Sequence, residues 1–124
     1  MILIDTSVWI EFFRARDPYH SRTAELLEEG QVLGLTWVFG ELLQGAKTNR
    51  ERTLIVEIWD HVPKVEEAQC FILAGLESSR NRWLDKGIGL IDAAIIMAAR
   101  SARAQIWTLD KKLKGVLESQ ESYH

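Results

Sequence analysis

The sequence predicts a three-layer α/β domain, with a short, mainly parallel central sheet and helices on both faces. Short runs of branched apolar residues alternate with longer stretches at helical spacing. Strands separated by helices pair in parallel, and a parallel sheet buries both of its faces. One late segment, IDAAIIMAARSAR, is apolar on most sides, as a helix packed inside a domain should be. The chain of 124 residues has no internal repeat, low-complexity tract or Pro/Gly/Ser-rich linker, so one domain spanning 1–124 is expected.

Taken in order, Ile2 to Ile4 is a short apolar strand and Thr6 to about Arg14 a helix, ended near Asp17 and Pro18 because proline restricts the residue before it. His20 to Glu29 places Ala24 and Leu27 on one face, with Gly30 as its stop. Gln31 to Leu35 reads as the second strand, followed by helices at Thr36 to Lys47 and Arg50 to Asp60. A brief strand, broken by Pro63, is expected over His61 to Val65. Glu66 to Asn81 reads as one long helix, and Lys86-Gly87-Ile88-Gly89 as a turn. The apolar helix then runs from Ile91 to Arg103, the last strand from Ala104 to Leu109 and the last helix from Asp110 to Leu117.

Composition excludes several classes. A formal charge of -3 and a pI near 5.6 give no global basic field for non-specific nucleic-acid binding. Any attraction to RNA or DNA must therefore be local or supplied by a metal. Cys70 is the sole cysteine and lies in the apolar stretch CFILAGL; it reads as a buried packing thiol suited to a reducing compartment. No apolar run reaches the roughly 20 residues of a membrane span, and no basic leader precedes an apolar core, so a soluble, cytoplasmic protein is expected.

The chemistry lies in four acids. Asp5 and Asp110 each follow a strand and precede a helix, and in an open parallel sheet ligands bind outside the carboxyl ends of the strands. Glu41, in WVFGELLQG, sits one to two turns into the helix after the second strand and can reach over the same edge. Asp92 begins the apolar helix, with Ile95, Ile96 and Ala99 sharing its face. An aspartate between a strand and a helix is also an ordinary N-cap, and Asp5, Asp92 and Asp110 each fit that role. Glu41 caps nothing, and its neighbours Phe39, Leu42 and Leu43 are apolar, so it reads as the acid least like solvated surface.

Four carboxylates at one sheet edge would repel one another unless a cation neutralised them. An all-oxygen set suits Mg²⁺ or Mn²⁺ rather than zinc. His20, His61 and His124 are scattered, and one cysteine cannot build a Cys-rich site. There is no GxxxxGK[ST] loop and no GxGxxG. A carboxylate-held Mg²⁺ is suited to phosphoryl chemistry, with a phosphodiester supplying the remaining ligands.

At this point the chain resembles a known family. ILIDTSVWIEFF, the glutamate of VFGELLQG, GIGLIDAAIIMAA and the terminal WTLDKKL occur in the order and approximate spacing of PIN-domain ribonucleases, most like the VapC toxin branch of toxin-antitoxin pairs. The likeness runs from Asp5 to Leu113. It implies a PIN-like fold and a metal-dependent endoribonuclease, with Asp5, Glu41, Asp92 and Asp110 as catalytic residues and ligands to Mg²⁺ or Mn²⁺. It further implies that Thr6 and Thr108 hydrogen-bond carboxylates or water around that site. Its partners would be an RNA substrate, a protein antitoxin that enters a groove by a helix or tail, and a second copy in a homodimer. Ile96 and Met97 depart from the small alanines that often follow the third acid, and Leu113 from the aromatic that commonly follows the fourth.

The groove has candidates in the residues themselves. Val8, Trp9, Ile10, Phe12 and Phe13 cover more than the roughly 100° stripe of an ordinary amphipathic helix, so some of that surface should face a partner. Trp9, Phe12, Phe13, Trp37 and Phe39 are the expected lining. For RNA, Arg82 and Lys86 lie in a segment whose Trp83 could stack on an unpaired base, and Arg14 and Lys111 with its neighbour Lys112 are further cations.

Three rivals stand against this reading. A receiver-like Mg²⁺-binding domain gives no role to Glu41 and would want paired acids before its first helix. A haloacid-dehalogenase phosphatase needs an aspartate at position 7, which is Ser7. A non-enzymatic interaction module would use the aspartates only as N-caps.

Overall fold

A computed structural model describes residues 1–124. Three short strands, β1 (Ile2–Ile4), β2 (Val32–Leu33) and β3 (Gln105–Trp107), form a parallel sheet in the order β2-β1-β3. All three residues of β1 are buried, which is why an unbroken apolar run rather than an alternating one marks the central strand. Single bridges widen the sheet at both edges, Lys64 beside Gly34 and Ser122 beside Ile106.

Seven helices cover this sheet: α1 (Thr6–Phe13), α2 (Tyr19–Glu28), α3 (Thr36–Gly45), α4 (Asn49–His61), α5 (Cys70–Asn81), α6 (Leu90–Ala102) and α7 (Lys111–Val116). From β1 the chain steps outward to β2 and the Lys64 bridge, then crosses back to β3 and outward to Ser122. Right-handed crossovers in two opposite directions put the two sets of helices on opposite faces. Helix contacts follow that division, with α1 against α2 and α3, α3 against α4, and α5 against α6. The result is the three-layer α/β/α architecture.

Between β1 and β3 the direction of winding reverses. That is the place where an open α/β sheet leaves a crevice beyond its strand ends.

Local chemistry sets the helix ends. α1 stops where Ala15 takes a left-handed φ of 56°, ahead of Pro18, and α2 stops at Gly30 with φ 67°. Thr48 caps α4 by accepting the Glu51 N–H at 3.1 Å. α6 buries Ala93, Ala94, Ile95, Ile96, Ala98 and Ala99, and so fills the space between α5 and β3. Cys70 is buried and unpaired.

Two expected elements differ. The strand over His61 to Val65 is absent as a strand: α4 continues through His61, and only Lys64 bridges to the sheet. The approach there is close, since a Cβ on Gly34 would lie 2.8 Å from the Val62 side chain. The helix expected from Glu66 begins at Cys70 instead, because Glu67 turns back to α3, where its carboxylate accepts the Thr36 N–H at 3.0 Å and the Thr36 hydroxyl. That carboxylate caps α3 from outside its own segment.

One contiguous core of 29 buried residues joins all these elements. No helix is long and apolar enough to cross a membrane. Ile96 is fully enclosed in the core, so Ile96→Ala should cost about 2–5 kcal/mol and Ile96→Val about 0.5–1.5 kcal/mol, read from urea unfolding midpoints. Equal small losses from both would mean that α6 is not the packed centre described here.

Candidate active site

Each of the four acids reaches the crevice from a different segment. Asp5 leaves the carboxyl end of β1, Asp110 follows β3, Asp92 lies in the first turn of α6, and Glu41 projects from the middle of α3. Asp92 is raised above its ordinary carboxylate value, first by burial and then by the charges of Asp5, Asp110 and Glu41; a backbone N–H of Gly89 opposes the shift. All three other acids thus lie within electrostatic reach of the fourth.

Asp5 is tied down on one oxygen. Its Oδ2 accepts the Ser7 hydroxyl at 2.9 Å and the Thr108 hydroxyl at 2.8 Å. Each hydroxyl in turn accepts a backbone N–H from the loop after β3, Leu109 to Ser7 at 3.0 Å and Asp110 to Thr108 at 3.1 Å. Asp5 occupies the N-cap position of α1 yet makes no side-chain cap bond to it.

Asp110 does cap. Its Oδ1 accepts from Lys112 and Leu113 at 2.8 and 3.3 Å. The Glu41 Oε2 accepts the Thr6 hydroxyl at 3.2 Å, and Glu41 is exposed at the cleft rim rather than enclosed by its apolar neighbours. Helical geometry explains this: Val38, Phe39 and Leu42 turn into the core and leave Glu41 on the other side.

None of the four acids forms an ion pair; the six salt bridges of the chain all involve other carboxylates. No three of them converge into a finished coordination shell. The donor set nevertheless fits a small hard cation. Mg²⁺ is commonly held by one or two carboxylates with retained waters and substrate phosphate, rather than by an all-protein cage.

A groove of about 330 Å³ opens beside Thr6 and Glu41, between α1, α3 and α4. Ile10, Phe13, Leu42 and Ile55 give it apolar walls, and Arg14 and Lys47 lie at its edge. Of the expected lining, Phe13 is there. Trp9 and Phe39 are not available to a partner, being 0% and 3% exposed in the core, where their rings pack edge to face at 5.4 Å. Phe12 and Trp37 are half-buried against the core, outside the groove. An eight-residue helix carrying five bulky apolar groups buries the largest and leaves Ile10 outermost.

The basic candidates are spread out. Arg14 pairs with Glu11, Arg82 with Asp85, and Lys86 and Lys111 are exposed. Trp83, expected to stack on a base, is instead buried beneath Arg100. Lys112 packs its side chain against Gly87.

Sequence reasoning missed Ser7 and Glu67. Ser7 had a local signal, a second hydroxyl two residues after a strand-end aspartate. Glu67 had none, since its partner Thr36 is 31 residues away.

The chain is similar to known proteins along nearly its whole length. The PIN domain family model matches residues 2–117. Ribonuclease VapC32 of two Mycobacterium tuberculosis strains is 34% identical over 118 residues, covering 92% of this chain and 88% of that protein. The crystal structure of VapBC2 from Rickettsia felis bound to a DNA fragment from their promoter superposes with a TM-score of 0.67 at 22% identity, over 93% of this chain and 92% of that one. At that identity the superposition shows the fold.

The raised Asp92 carries a pH signature. The folded chain holds the Asp92 proton more tightly than the unfolded chain, so ionising it costs stability. That cost is absent below the ordinary value of 3.8 and grows as pH rises through the folded value. In chelator, Asp92→Asn should melt above wild type near pH 7, with the gap narrowing toward about pH 4. A variant that melts at or below wild type at pH 7 would contradict the mutual repulsion described here.

Proposed function

The chain belongs to the PIN-domain family, and from that premise we propose that it is a metal-dependent endoribonuclease which hydrolyses RNA phosphodiester bonds as the toxin of a type II toxin-antitoxin pair. The observation that supports this reading is that Asp92 has three other carboxylates within electrostatic reach beyond the strand ends, where the winding of the sheet reverses, and that none of the four is in a salt bridge. The relative named a ribonuclease supports the activity. The interaction-module rival gains no support from Asp5, whose carboxylate caps nothing.

Asp5, Glu41, Asp92 and Asp110 would hold Mg²⁺ or Mn²⁺. Such an ion supplies charge neutralisation at the phosphodiester and acidifies the attacking water. The chain's own residues have distinct tasks around it. Ser7 and Thr108 fix the direction of the Asp5 carboxylate, and the cap bonds do the same for Asp110. Thr6 steers the exposed Glu41, which reaches the cleft from α3. Asp92 is half-buried, and burial together with the charges of Asp5, Asp110 and Glu41 raises it above its ordinary carboxylate value, a cost that a bound cation would relieve. Lys112 and the exposed Arg14, Arg82, Lys86 and Lys111 supply local positive charge for an RNA backbone that the net charge would otherwise repel.

The groove beside Glu41 suits the antitoxin. An amphipathic helix or tail could lay apolar anchors on Ile10, Phe13, Leu42 and Ile55 and so end at the acid cleft. A homodimer has its own support in the apolar face of α5 and the segment after it, where Ile72, Leu76, Leu84 and Leu90 are exposed.

The test is cleavage of a pool of structured RNAs by the purified chain with Mg²⁺ or Mn²⁺, with EDTA, and with Asp5→Asn. Discrete fragments should require metal, and Asp5→Asn should lose at least about a hundredfold in rate, or about 2.7 kcal/mol of barrier. Cleavage that survives both EDTA and Asp5→Asn would overturn the assignment. Complete inactivity of wild type, with no metal bound in calorimetry, would return the interaction module to first place.

A further inference from the structure

We propose that the Ser7 and Thr108 hydroxyls make Asp5 a one-oxygen ligand, and thereby bias the cleft toward Mg²⁺ or Mn²⁺ and against Ca²⁺. The inference rests on the reading that the cleft binds a divalent cation, and it concerns which ion the chain selects.

A hydroxyl has one proton to donate. The Ser7 Oγ accepts the Leu109 N–H and the Thr108 Oγ1 accepts the Asp110 N–H, which leaves each hydroxyl its proton; the two oxygens lie 3.5 Å from each other and closer to Asp5, which takes both protons. Both protons go to the same atom, Oδ2, at 2.9 and 2.8 Å. Turning Oδ2 toward a cation would strip two hydroxyls of their acceptor at once. Thr108 is 1% exposed, so water does not replace what it loses. Oδ1 is left as the only oxygen of Asp5 that accepts no hydrogen bond.

Asp110 is constrained in the same sense. Its Oδ1 is committed to the backbone of Lys112 and Leu113, which leaves Oδ2. The two acids at the switch point therefore offer one oxygen each.

Ion chemistry converts this into selectivity. Ca²⁺ collects six to eight oxygens and readily takes both oxygens of a carboxylate, whereas Mg²⁺ requires a compact octahedron completed by water. Mn²⁺ shares the preference for oxygen donors in six-coordination. A site whose carboxylates are held to single oxygens starves the larger ion of ligands while satisfying the smaller. Ser7 and Thr108 act here as positioning residues, reaching the cation only through Asp5.

The experiment is competition between Mn²⁺ and Ca²⁺ for the full-length chain, read by the electron paramagnetic resonance signal of free Mn²⁺. Wild type should hold Mn²⁺ against Ca²⁺. Thr108→Val, which keeps the shape and removes the donor, should let Ca²⁺ compete about tenfold better, and Ser7→Ala should move the ratio in the same direction. Thr108→Ser, which retains the hydroxyl, should behave as wild type, with melting curves showing that each variant is folded. An unchanged Mn²⁺ to Ca²⁺ ratio in folded Thr108→Val and Ser7→Ala would overturn the inference while leaving the nuclease reading intact. Wild type that binds no Mn²⁺ would remove the metal reading and this inference with it.

Discussion

The Asp5 N–H donates to the Trp107 carbonyl at 2.9 Å, closing the ladder between β1 and β3 at its carboxyl end. Much of the cleft depends on that pairing. It brings residues 5 and 108, far apart in the chain, close enough for Thr108 to reach the Asp5 carboxylate. It also lies where the winding of the sheet reverses, so that helices leave to opposite faces and a crevice stays open between them. The strands are only two or three residues long, and the sheet could hardly hold this register on backbone bonds alone. The buried side chains of α6, packed behind β3, and the Ser7 and Thr108 hydroxyls, bonded across the strand ends, supply the rest.

Against this scaffold the acids work as a destabilising load. Asp92 is half-buried and feels three other carboxylates, yet no lysine or arginine side chain forms a salt bridge with any of the four. Elsewhere five carboxylates are paired with arginine. Arg100, for example, holds Glu121 below its ordinary value through a charged hydrogen bond at 2.8 Å. Carboxylates that crowd one another without a salt bridge leave their charge available to something that is not part of the chain. Repulsion of this kind is tolerable where a bound cation relieves it.

How much of this was legible depended on whether the cause was local. The strand at Ile2, the buried α6 and the placing of Asp5 and Asp110 at strand ends all follow from short-range pattern, because burial and periodicity are written in consecutive residues. The start of α5 was not, because Glu67 is drawn away by Thr36, a contact that no window of sequence contains. Trp9, Phe39 and Trp83 were read as surface for the same reason. Aromatic residues serve interiors and interfaces equally well, and only tertiary packing decides between them. Glu41 differs in the opposite direction: its apolar neighbours made it read as the acid least like solvated surface, and helical rotation turns it outward.

The weighing of N-cap against ligand also changes once oxygens are counted instead of residues. Asp110 is a cap through Oδ1, and that role leaves Oδ2 without a hydrogen bond. A carboxylate has two oxygens, so capping one aims the other rather than excluding it from a site. Asp5 reaches the same outcome by a different route, with two hydroxyls on Oδ2 in place of a helix end. An asparagine at position 110 would preserve the cap and lose the anionic oxygen, whereas alanine would lose both. The two acids that flank the switch point are thus held by bonds which stabilise the fold and orient the charge together, and the structural and functional readings describe opposite ends of the same side chain.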